Sequence, residues 1–327
     1  MVTVEEVRNA YRMILGRQPE NESVLLRQAQ QIHSLEELGK RFLNSPEFRR
    51  NSRAARPQRP LNWPPIEVEA DASDAQLSAM IRHIEANWHN LGLSEPHWSV
   101  LTNETFRSSN IAGEEERFYD SGRSDIERLN RTAERCGISL TSFSRCFELG
   151  CGVGRLSIWL ADLFEEVAAA DISPAHLAVA QQALHRFGRT NVSLVHLNSL
   201  SALEAIPEFD VFISIIVLQH NPPPLIAVML KTVLSRLQPG GIAYFQVPTY
   251  RKNYRFRIDE YLTKTSATHG MEMHLILQHQ LFDILHQADC QLLECREDSS
   301  APHHETISNS IFARKREQPR SSPRHQR

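Results

Sequence analysis

The 327-residue sequence lacks a long apolar run, a disulfide framework and an excess of charge of one sign. Its longest apolar stretch, Val211 to Leu218, is interrupted by Ser214 and is far shorter than the roughly 20 residues of a membrane span. Five cysteines form an odd set without a Cys-x-x-Cys pair, which favours reduced thiols in a cytoplasmic enzyme. A net charge of -3 creates no overall field that would attract nucleic acid or anionic lipid. We therefore expect no membrane span and no nucleic-acid partner.

Two further signals are missing. No apolar run lies near the start of the sequence, so we expect no signal peptide and a cytoplasmic location. The adjacent His303 and His304, followed by Glu305, match no zinc-ligand spacing. We therefore predict that no metal is required.

The sequence divides into four segments. Residues 1–50 carry apolar side chains at helical spacing and a capping box at Ser34 and Glu37, which predict a small helical domain. Prolines at 57, 60, 64 and 65 predict an extended linker over 51–75. Alternating strand and helix patterns follow over 76–314, and the basic composition of 315–327 predicts a disordered tail. We expect residues 1–50 to dock a partner or to self-associate, without chemistry of their own.

The rest of the chain is organised around the stretch Cys146-Phe-Glu-Leu-Gly-Cys-Gly-Val-Gly-Arg155. It predicts a buried strand, a glycine turn and a helix over Leu156 to Phe164, as in the nucleotide-binding turn of a doubly wound sheet. A dinucleotide fold needs Gly-x-Gly-x-x-Gly, but the third position here would be Arg155. Glu148 beside the turn would repel a pyrophosphate and suits a cationic ligand instead.

The stretch resembles motif I of the class I S-adenosylmethionine-dependent methyltransferases. Asp171-Ile-Ser-Pro and Leu237-x-Pro-Gly-Gly are further markers of that family. The resemblance implies a doubly wound, Rossmann-like, seven-stranded α/β sheet with S-adenosylmethionine as cofactor. Within this pattern we predict further strands over Val167–Ser173, Val192–Leu197, Asp210–Leu218, Ile242–Val247, Gln291–Arg296 and Ile307–Ala313. The resemblance implies that the last two form an antiparallel hairpin.

Several side chains are candidates for the cofactor site. Asp171 lies 21 residues after Gly150, where a doubly wound fold places the acid that binds ribose hydroxyls. Ser173 and Pro174 can at the same time open a helix. The family resemblance gives the full set of cofactor candidates, which is Tyr119, Glu148, Gly150, Gly152, Gly154, Asp171, Ile172, Asn198 and Gln219. Asn198 stands where relatives commonly have Asp, and Tyr119 is equally well explained as a core aromatic.

The reaction requires a proton acceptor if the methyl group is transferred to a hydroxyl. A neutral imidazole suits this role, and the candidates are His220, after the fourth strand, and His274, in the polar insertion 248–277. His220 could instead orient the cofactor, and His274 could be a surface residue. Tyr250, after the fifth strand, is a third catalytic candidate. Arg251, Arg255, Arg257 and His304 are candidates for binding the substrate.

The insertion is rich in tyrosine and arginine, which suits a sugar or an anionic group. The chain also resembles bacterial methyltransferases found among surface-polysaccharide enzymes. Residues 1–50 resemble a helical domain that accompanies enzymes of surface glycans. We therefore expect O-methylation of a sugar or a glycan-linked intermediate. The alternatives are methylation of another small metabolite or a protein, and a non-catalytic docking module that binds S-adenosylmethionine.

Overall fold

The structure, a computed structural model, describes residues 2–15, 17–45, 47–48, 63–264, 270–298, 300 and 305–317. The chain divides into two compact units, Met1–Trp63 and Pro64–Arg327. Over these described ranges, no helix is both long enough and apolar enough to cross a membrane. The predicted linker residues 51–62, the candidates His303 and His304, and residues 318–327 of the predicted tail lie outside the described residues.

The first unit contains three α-helices, α1 (Val4–Ala10), α2 (Glu22–Gln31) and α3 (Leu35–Leu43), within its described part. The Ser34 hydroxyl accepts a hydrogen bond from Glu37 N at 3.1 Å, which caps α3 as predicted. The Glu37 carboxylate bonds to His33 N instead of Ser34 N, so the predicted capping box is only half formed. The helices enclose a small core that includes Val7, Leu25, Ile32, Leu38 and Phe42.

A seven-stranded sheet forms the centre of the second unit, as the sequence predicts. Its strands, numbered along the chain with β1 and β7 outside this sheet, are β2 (Arg145–Leu149), β3 (Glu166–Asp171), β4 (Val192–His196), β5 (Phe209–Ser214), β6 (Leu237–Arg251), β8 (Cys290–Asp298) and β9 (Thr306–Lys315). The strand order is β4-β3-β2-β5-β6-β9-β8. The first five strands in this order pair in parallel, and β9 runs antiparallel to both neighbours.

Helices cover both faces of this sheet because successive strand residues point to opposite sides. Phe147 and Phe212 belong to one buried cluster, whereas their neighbours Cys146 and Val211 belong to another. The helices are α4 (Asp74–Ser94), α5 (Pro96–Val100), α6 (Glu115–Arg135), α7 (Ser157–Leu160), α8 (Pro174–Arg186), α9 (Leu200–Glu204), α10 (Pro223–Arg236), α11 (Ile258–Lys264) and α12 (Gln278–Gln287).

Three predicted boundaries differ from the structure. The helix expected over Leu156 to Phe164 is only four residues long, Ser157–Leu160, and therefore has little dipole to offer a ligand. The apolar run expected to continue as a strand to Leu218 leaves the sheet at Ser214. Ile216 there has φ of 60°, a left-handed conformation that ends the pleat. Strand β6 is longer than predicted and extends to Arg251.

The insertion after β6 folds back over the sheet edge where the parallel strands end. Its short strand β7 (Arg255–Phe256) pairs in parallel with β1 (Glu67–Val68), so residues 67–68, expected in the linker, are part of the second unit. Tyr254 and Phe256 pack in one buried cluster with Met80 of α4. Helix α4 and the insertion thus share one apolar layer above the sheet.

Candidate active site

The glycine turn after β2 adopts a backbone that only glycine accepts easily. Gly150 and Gly152 have φ of 76° and 54°, in the left-handed region. A Cβ at Gly150 would lie 2.3 Å from Val217 Cγ2, and one at Gly152 would lie 2.6 Å from Val100 Cγ2. Gly154, with φ of 81°, faces more open space, since a Cβ there would lie 3.5 Å from Ala180.

The N–H groups of this turn are already used within the protein. Gly150 N and Cys151 N both donate to Ala170 O, at 2.7 and 3.0 Å. Gly152 N donates to Asp171 Oδ2 at 2.8 Å. A phosphate bound at such a turn is held by free N–H groups. Because these three N–H groups already donate within the protein, they are not available to a phosphate. The geometry supports the sequence argument against a pyrophosphate.

Asp171 ties the second strand to the glycine turn. Besides the bond from Gly152, its Oδ1 accepts from Ser173 N at 2.8 Å. The Ser173 hydroxyl in turn caps α8 by accepting from His176 N. Ser173 therefore caps the helix as predicted, and Asp171 lines the cavity described below, whereas its contact with ribose hydroxyls stays a prediction.

Glu148 is the most deeply buried carboxylate of the site, with 2% of its surface exposed. The Ser157 hydroxyl donates to its Oε2 at 2.6 Å. Burial raises the pKa of Glu148 to about 7, although the Ser157 bond and the nearby Arg155 charge act in the opposite direction. This carboxylate therefore gains from a cationic ligand, which would restore part of its lost solvation.

These residues line one open cavity, which encloses about 1040 Å³ including the part open to solvent. Its floor is the turn with Glu148, Gly150, Gly152, Asp171 and Ile172. Most of the remaining wall is apolar, and it includes Ile81, Ile84, Trp88, Val100, Leu197, Leu200, Leu203, Ile215, Val217, Leu225 and Met229. An apolar cavity with a few convergent polar groups is typical of a small-molecule site.

His220 lies at this cavity with both ring nitrogens engaged. Its Nδ1 is 2.8 Å from Glu272 O, and its Nε2 is 3.2 Å from the amide nitrogen of Gln219. The Trp88 ring packs edge-on against it, with 5.1 Å between ring centroids. Burial lowers the pKa of His220 to about 4, so the imidazole is neutral at physiological pH.

His274, the second imidazole candidate, lies behind the cavity and not among its lining residues. Its Nδ1 is 2.8 Å from the Tyr254 hydroxyl, and its Nε2 is 2.9 Å from Glu272 Oε2. Glu272 also contacts His83 at 2.7 Å and accepts from the Tyr261 hydroxyl at 2.8 Å. Burial favours protonation of Glu272, but these hydrogen bonds outweigh it and lower the pKa to about 2. The network holds the insertion against α4.

The remaining cofactor candidates lie around the cavity without lining it. Tyr119 is buried beneath the turn, where its hydroxyl donates to Val153 O at 3.2 Å. Asn198 is exposed, between the lining residues Leu197 and Ser199. Gln219 is buried and reaches His220. The geometry therefore brings together the turn, Asp171 and His220, and places these side chains one layer away.

The catalytic candidate Tyr250 and the predicted substrate residues that the structure describes are engaged elsewhere. The Tyr250 hydroxyl donates to Pro64 O at 2.7 Å. Arg251 donates to Met273 O at 3.2 Å and stacks on Tyr254. Arg255 pairs with Glu260, and Arg257 pairs with Glu69. His304 lies outside the described residues. The side chains of Tyr250 and the three arginines do not line the cavity.

Two lining residues carry polar groups that the sequence pattern does not single out. His176 is buried at the start of α8, with Nε2 2.7 Å from the Ser99 hydroxyl. Neither residue belongs to a recognisable motif, so no sequence signal identifies them. Trp88 and its apolar neighbours on α4 are different, since helical spacing of apolar residues predicts that face. No group of three or more potential metal ligands occurs among the residues that the structure describes.

Comparison with known proteins agrees with this geometry. Residues 147–243, from β2 into β6, match the family model described as "Methyltransferase domain". This segment of the chain is therefore similar to methyltransferase domains. Its matched segment includes the glycine turn, Asp171 and His220.

The curated relatives that this chain matches carry one name. The ubiquinone biosynthesis O-methyltransferase of Pseudomonas fluorescens strain Pf-5 is 32% identical over 142 residues, which are 42% of this chain and 58% of the relative. The protein of the same name from Ruegeria pomeroyi is 30% identical over 149 residues, 44% of this chain and 58% of the relative. The chain thus spans little more than half the length of the curated relatives it matches.

Among solved structures, the magnesium protoporphyrin IX methyltransferase of Synechocystis PCC 6803, with bound SAH, is 18% identical to this chain. Its TM-score is 0.49, and the alignment covers 71% of this chain and 98% of that one.

Proposed function

We propose that the methyltransferase domain binds S-adenosylmethionine in the cavity and transfers its methyl group to an oxygen of a small molecule. The observation that carries this proposal is Glu148, a buried carboxylate beside a glycine turn whose N–H groups are already donated. Such a floor suits a ligand with positive charge and no phosphate. The curated relatives, named as O-methyltransferases, agree with oxygen as the acceptor atom.

The residues present fit this cofactor. Glu148 would hold its ammonium group, and Asp171 its ribose hydroxyls, because both carboxylates line the same cavity floor. Ile172 and Leu197 would flank the adenine with apolar surface, and Asn198 stands at the same strand end. Gly154, Tyr119 and Gln219 would shape the site from behind. When bound, the cofactor supplies an electrophilic methyl group.

The chain supplies the proton acceptor. We propose His220 for this role because it is the one of the two predicted imidazoles that lines the cavity. It is neutral at physiological pH, as a general base must be before it accepts a proton. His274 would act through the insertion, since its two nitrogens face Tyr254 and Glu272. Tyr250, bonded to Pro64 O, would then contribute to the cap and not to proton transfer.

The shape of the cavity supports an acceptor with an apolar body. Ile81, Ile84, Leu225 and Met229 line the wall, and they offer no hydrogen bonds. A hydroxyl on an aromatic or other apolar ring fits such a wall, and the name of the curated relatives points the same way. We place this acceptor class first.

A sugar or glycan-linked acceptor is the second candidate. Trp88 at the wall could stack on a sugar ring. The arginines that would bind an anionic sugar are, however, paired with carboxylates or backbone elsewhere. In either case residues 1–50 would dock a partner or a second copy.

The test is release of S-adenosylhomocysteine from the full chain, with a panel of hydroxylated aromatic compounds and a matched panel of sugars. We expect turnover with the aromatic panel, and none when His220 is replaced by Asn. Turnover with sugars alone would reverse our order of acceptors. Calorimetric binding of S-adenosylmethionine without turnover on a broad panel would support a non-catalytic binding module. Absence of binding would contradict the proposal.

A further inference from the structure

His220 is held in one tautomer by its two neighbours. A carbonyl oxygen can only accept a hydrogen bond, so the ring nitrogen that faces Glu272 O, Nδ1, carries a proton. The amide nitrogen of Gln219 can only donate, so Nε2, which faces it at 3.2 Å, is an acceptor. The neutral ring therefore has its proton on Nδ1 and its lone pair on Nε2.

The orientation of the Gln219 amide is fixed in turn by Gln246. The Gln246 amide nitrogen lies 3.1 Å from Gln219 Oε1 and also contacts the Ser308 hydroxyl. Both glutamines are almost completely buried, with 1% and 3% exposure. Neither amide can exchange its protein partners for water, so each depends on the other for its orientation.

The relay begins at a backbone N–H, whose direction cannot be reversed. Ile216 N lies 3.1 Å from Gln246 Oε1, and an N–H only donates. Ile216 has φ of 60°, which is a rare conformation for a β-branched residue. Such strain persists where the surrounding structure requires it, and here the strained residue supplies the first donor of the relay.

We propose that Gln246 is a positioning residue that transmits the direction of the Ile216 N–H through Gln219 to His220, so that Nε2 of His220 is held as an acceptor and not as a donor. This inference rests on the proposed role of His220 as proton acceptor. When the O–H bond of the acceptor breaks, its proton joins Nε2, and Nδ1–H remains bonded to Glu272 O. The acceptor hydroxyl takes the place of the Gln219 amide at Nε2.

Among the other described groups around His220, the Glu272 carbonyl favours the same tautomer because it accepts from Nδ1–H, and the relay supplies the donor at Nε2. Glu272 and His274 from the insertion are the titratable groups that act on it, and neither contacts Nε2. Helix α4 contributes the Trp88 ring and, one step further, His83, which contacts Glu272. Gln219 is therefore the described residue whose amide nitrogen is the hydrogen-bond partner of Nε2.

The first experiment measures the tautomer directly. Long-range ¹H–¹⁵N spectra of the cofactor-free full chain, with the His220 signals assigned through His220→Asn, report which ring nitrogen is protonated. We expect protonated Nδ1 and unprotonated Nε2 from pH 6 to pH 8. A protonated Nε2 in this range would overturn the proposal. The result does not depend on turnover, so failure of the proposed function is distinguishable from failure of the relay.

The second experiment reverses the relay with Gln246→Glu. A carboxylate only accepts, so the Gln219 amide must turn its nitrogen to position 246 and present its oxygen to Nε2. His220 then needs a proton on Nε2. We expect its titration to move up by about one pH unit or more, that is about tenfold in proton affinity, with a comparable loss of kcat. An unchanged His220 titration would refute the relay.

Two further variants keep the test decisive. Ser308→Ala removes the second hydrogen-bond partner of the Gln246 amide nitrogen but leaves the direction of its bond to Gln219 unchanged. The wild-type tautomer of His220 should therefore persist. If Gln246→Glu does not fold, Gln246→Met removes the constraint on Gln219 without a buried charge. We then expect part of His220 to carry a proton on Nε2. A wild-type spectrum of His220 in Gln246→Met would also overturn the proposal.

Discussion

The Ser157 hydroxyl donates a 2.6 Å hydrogen bond to the carboxylate of Glu148, and both side chains are buried. A single hydroxyl replaces only part of the hydration that an ionised carboxylate loses on burial. This explains why burial raises the pKa of Glu148 to about 7. The protein without ligand therefore carries an electrostatic cost at the position where the proposed cofactor has its ammonium group.

Replacing Glu148 by Gln should stabilise the free protein and weaken cofactor binding. The folded pKa is about 7 against an ordinary value of 4.5, so the wild type loses stability as pH rises from 4.5 to 7. The full cost is present above pH 7, at up to roughly 3 kcal/mol. Urea denaturation at pH 8 should show Glu148→Gln gaining about 1–3 kcal/mol, and calorimetry should show at least a tenfold loss of affinity for S-adenosylmethionine.

The matched control is Glu127→Gln, at an exposed position of α6. It should change neither the free energy of unfolding nor cofactor affinity measurably. Undiminished cofactor binding by Glu148→Gln would remove the main support for the proposed ligand.

The pH dependence should separate the roles of Glu148 and His220. Protonation of Glu148 below pH 7 removes the negative charge that attracts the ammonium group, so kcat/KM for the cofactor should fall as pH decreases from 8 to 6. Burial lowers the pKa of His220 to about 4, so kcat at saturating cofactor should stay nearly constant over that range. Steady-state kinetics at several pH values measure both. A parallel fall of kcat would contradict the assignment of His220.

Gly150→Ala should be much more destabilising than Gly137→Ala, although both glycines have positive φ, 76° and 71°. A Cβ at Gly137 meets nothing within 4 Å, so only backbone strain of about 1 kcal/mol applies. At Gly150 the Cβ would lie 2.3 Å from Val217 Cγ2, which adds about 1–3 kcal/mol of overpacking. Chemical denaturation of the two variants gives the comparison.

The double variant Gly150→Ala/Val217→Ala tests the cause of that difference. Val217→Ala removes the clashing methyl groups, so the double variant should be more stable than the sum of the two single effects predicts. Simple additivity would indicate that the contact with Val217 does not determine the cost.

Glu272→Gln should destabilise the cap, and the effect should depend on pH. Hydrogen bonds from His274, His83 and Tyr261 overcome burial and lower the pKa of Glu272 to about 2. Its ionised form therefore adds stability above its ordinary pKa of 4.5, and this stability is lost as pH falls toward 2. We expect a cost of up to about 3 kcal/mol at pH 7, which shrinks between pH 4.5 and 3. Glu127→Gln is again the control, and a cost independent of pH would contradict this explanation.

Local sequence determined the sheet and the floor of the site. The Glu148 to Gly154 motif specifies a turn because its glycines, which lack a Cβ, can adopt left-handed φ values with little strain. The position of Asp171 could also be predicted from sequence, because strand lengths and the right-handed crossover determine which strand ends are adjacent. The seven-stranded fold and its antiparallel hairpin were predicted from the resemblance to the class I methyltransferases.

The wall and the partners of each side chain depended on tertiary structure. Sequence composition suggested that Arg255 and Arg257 face a substrate. Instead, Arg255 pairs with the nearby Glu260, and Arg257 pairs with Glu69, which is distant in sequence. His220 was predicted at a strand end, yet its tautomer depends on Gln246, 26 residues later, and on Glu272 O. Hydrogen-bond direction and burial depend on groups that come into contact only when the chain folds, so no local sequence pattern predicts them.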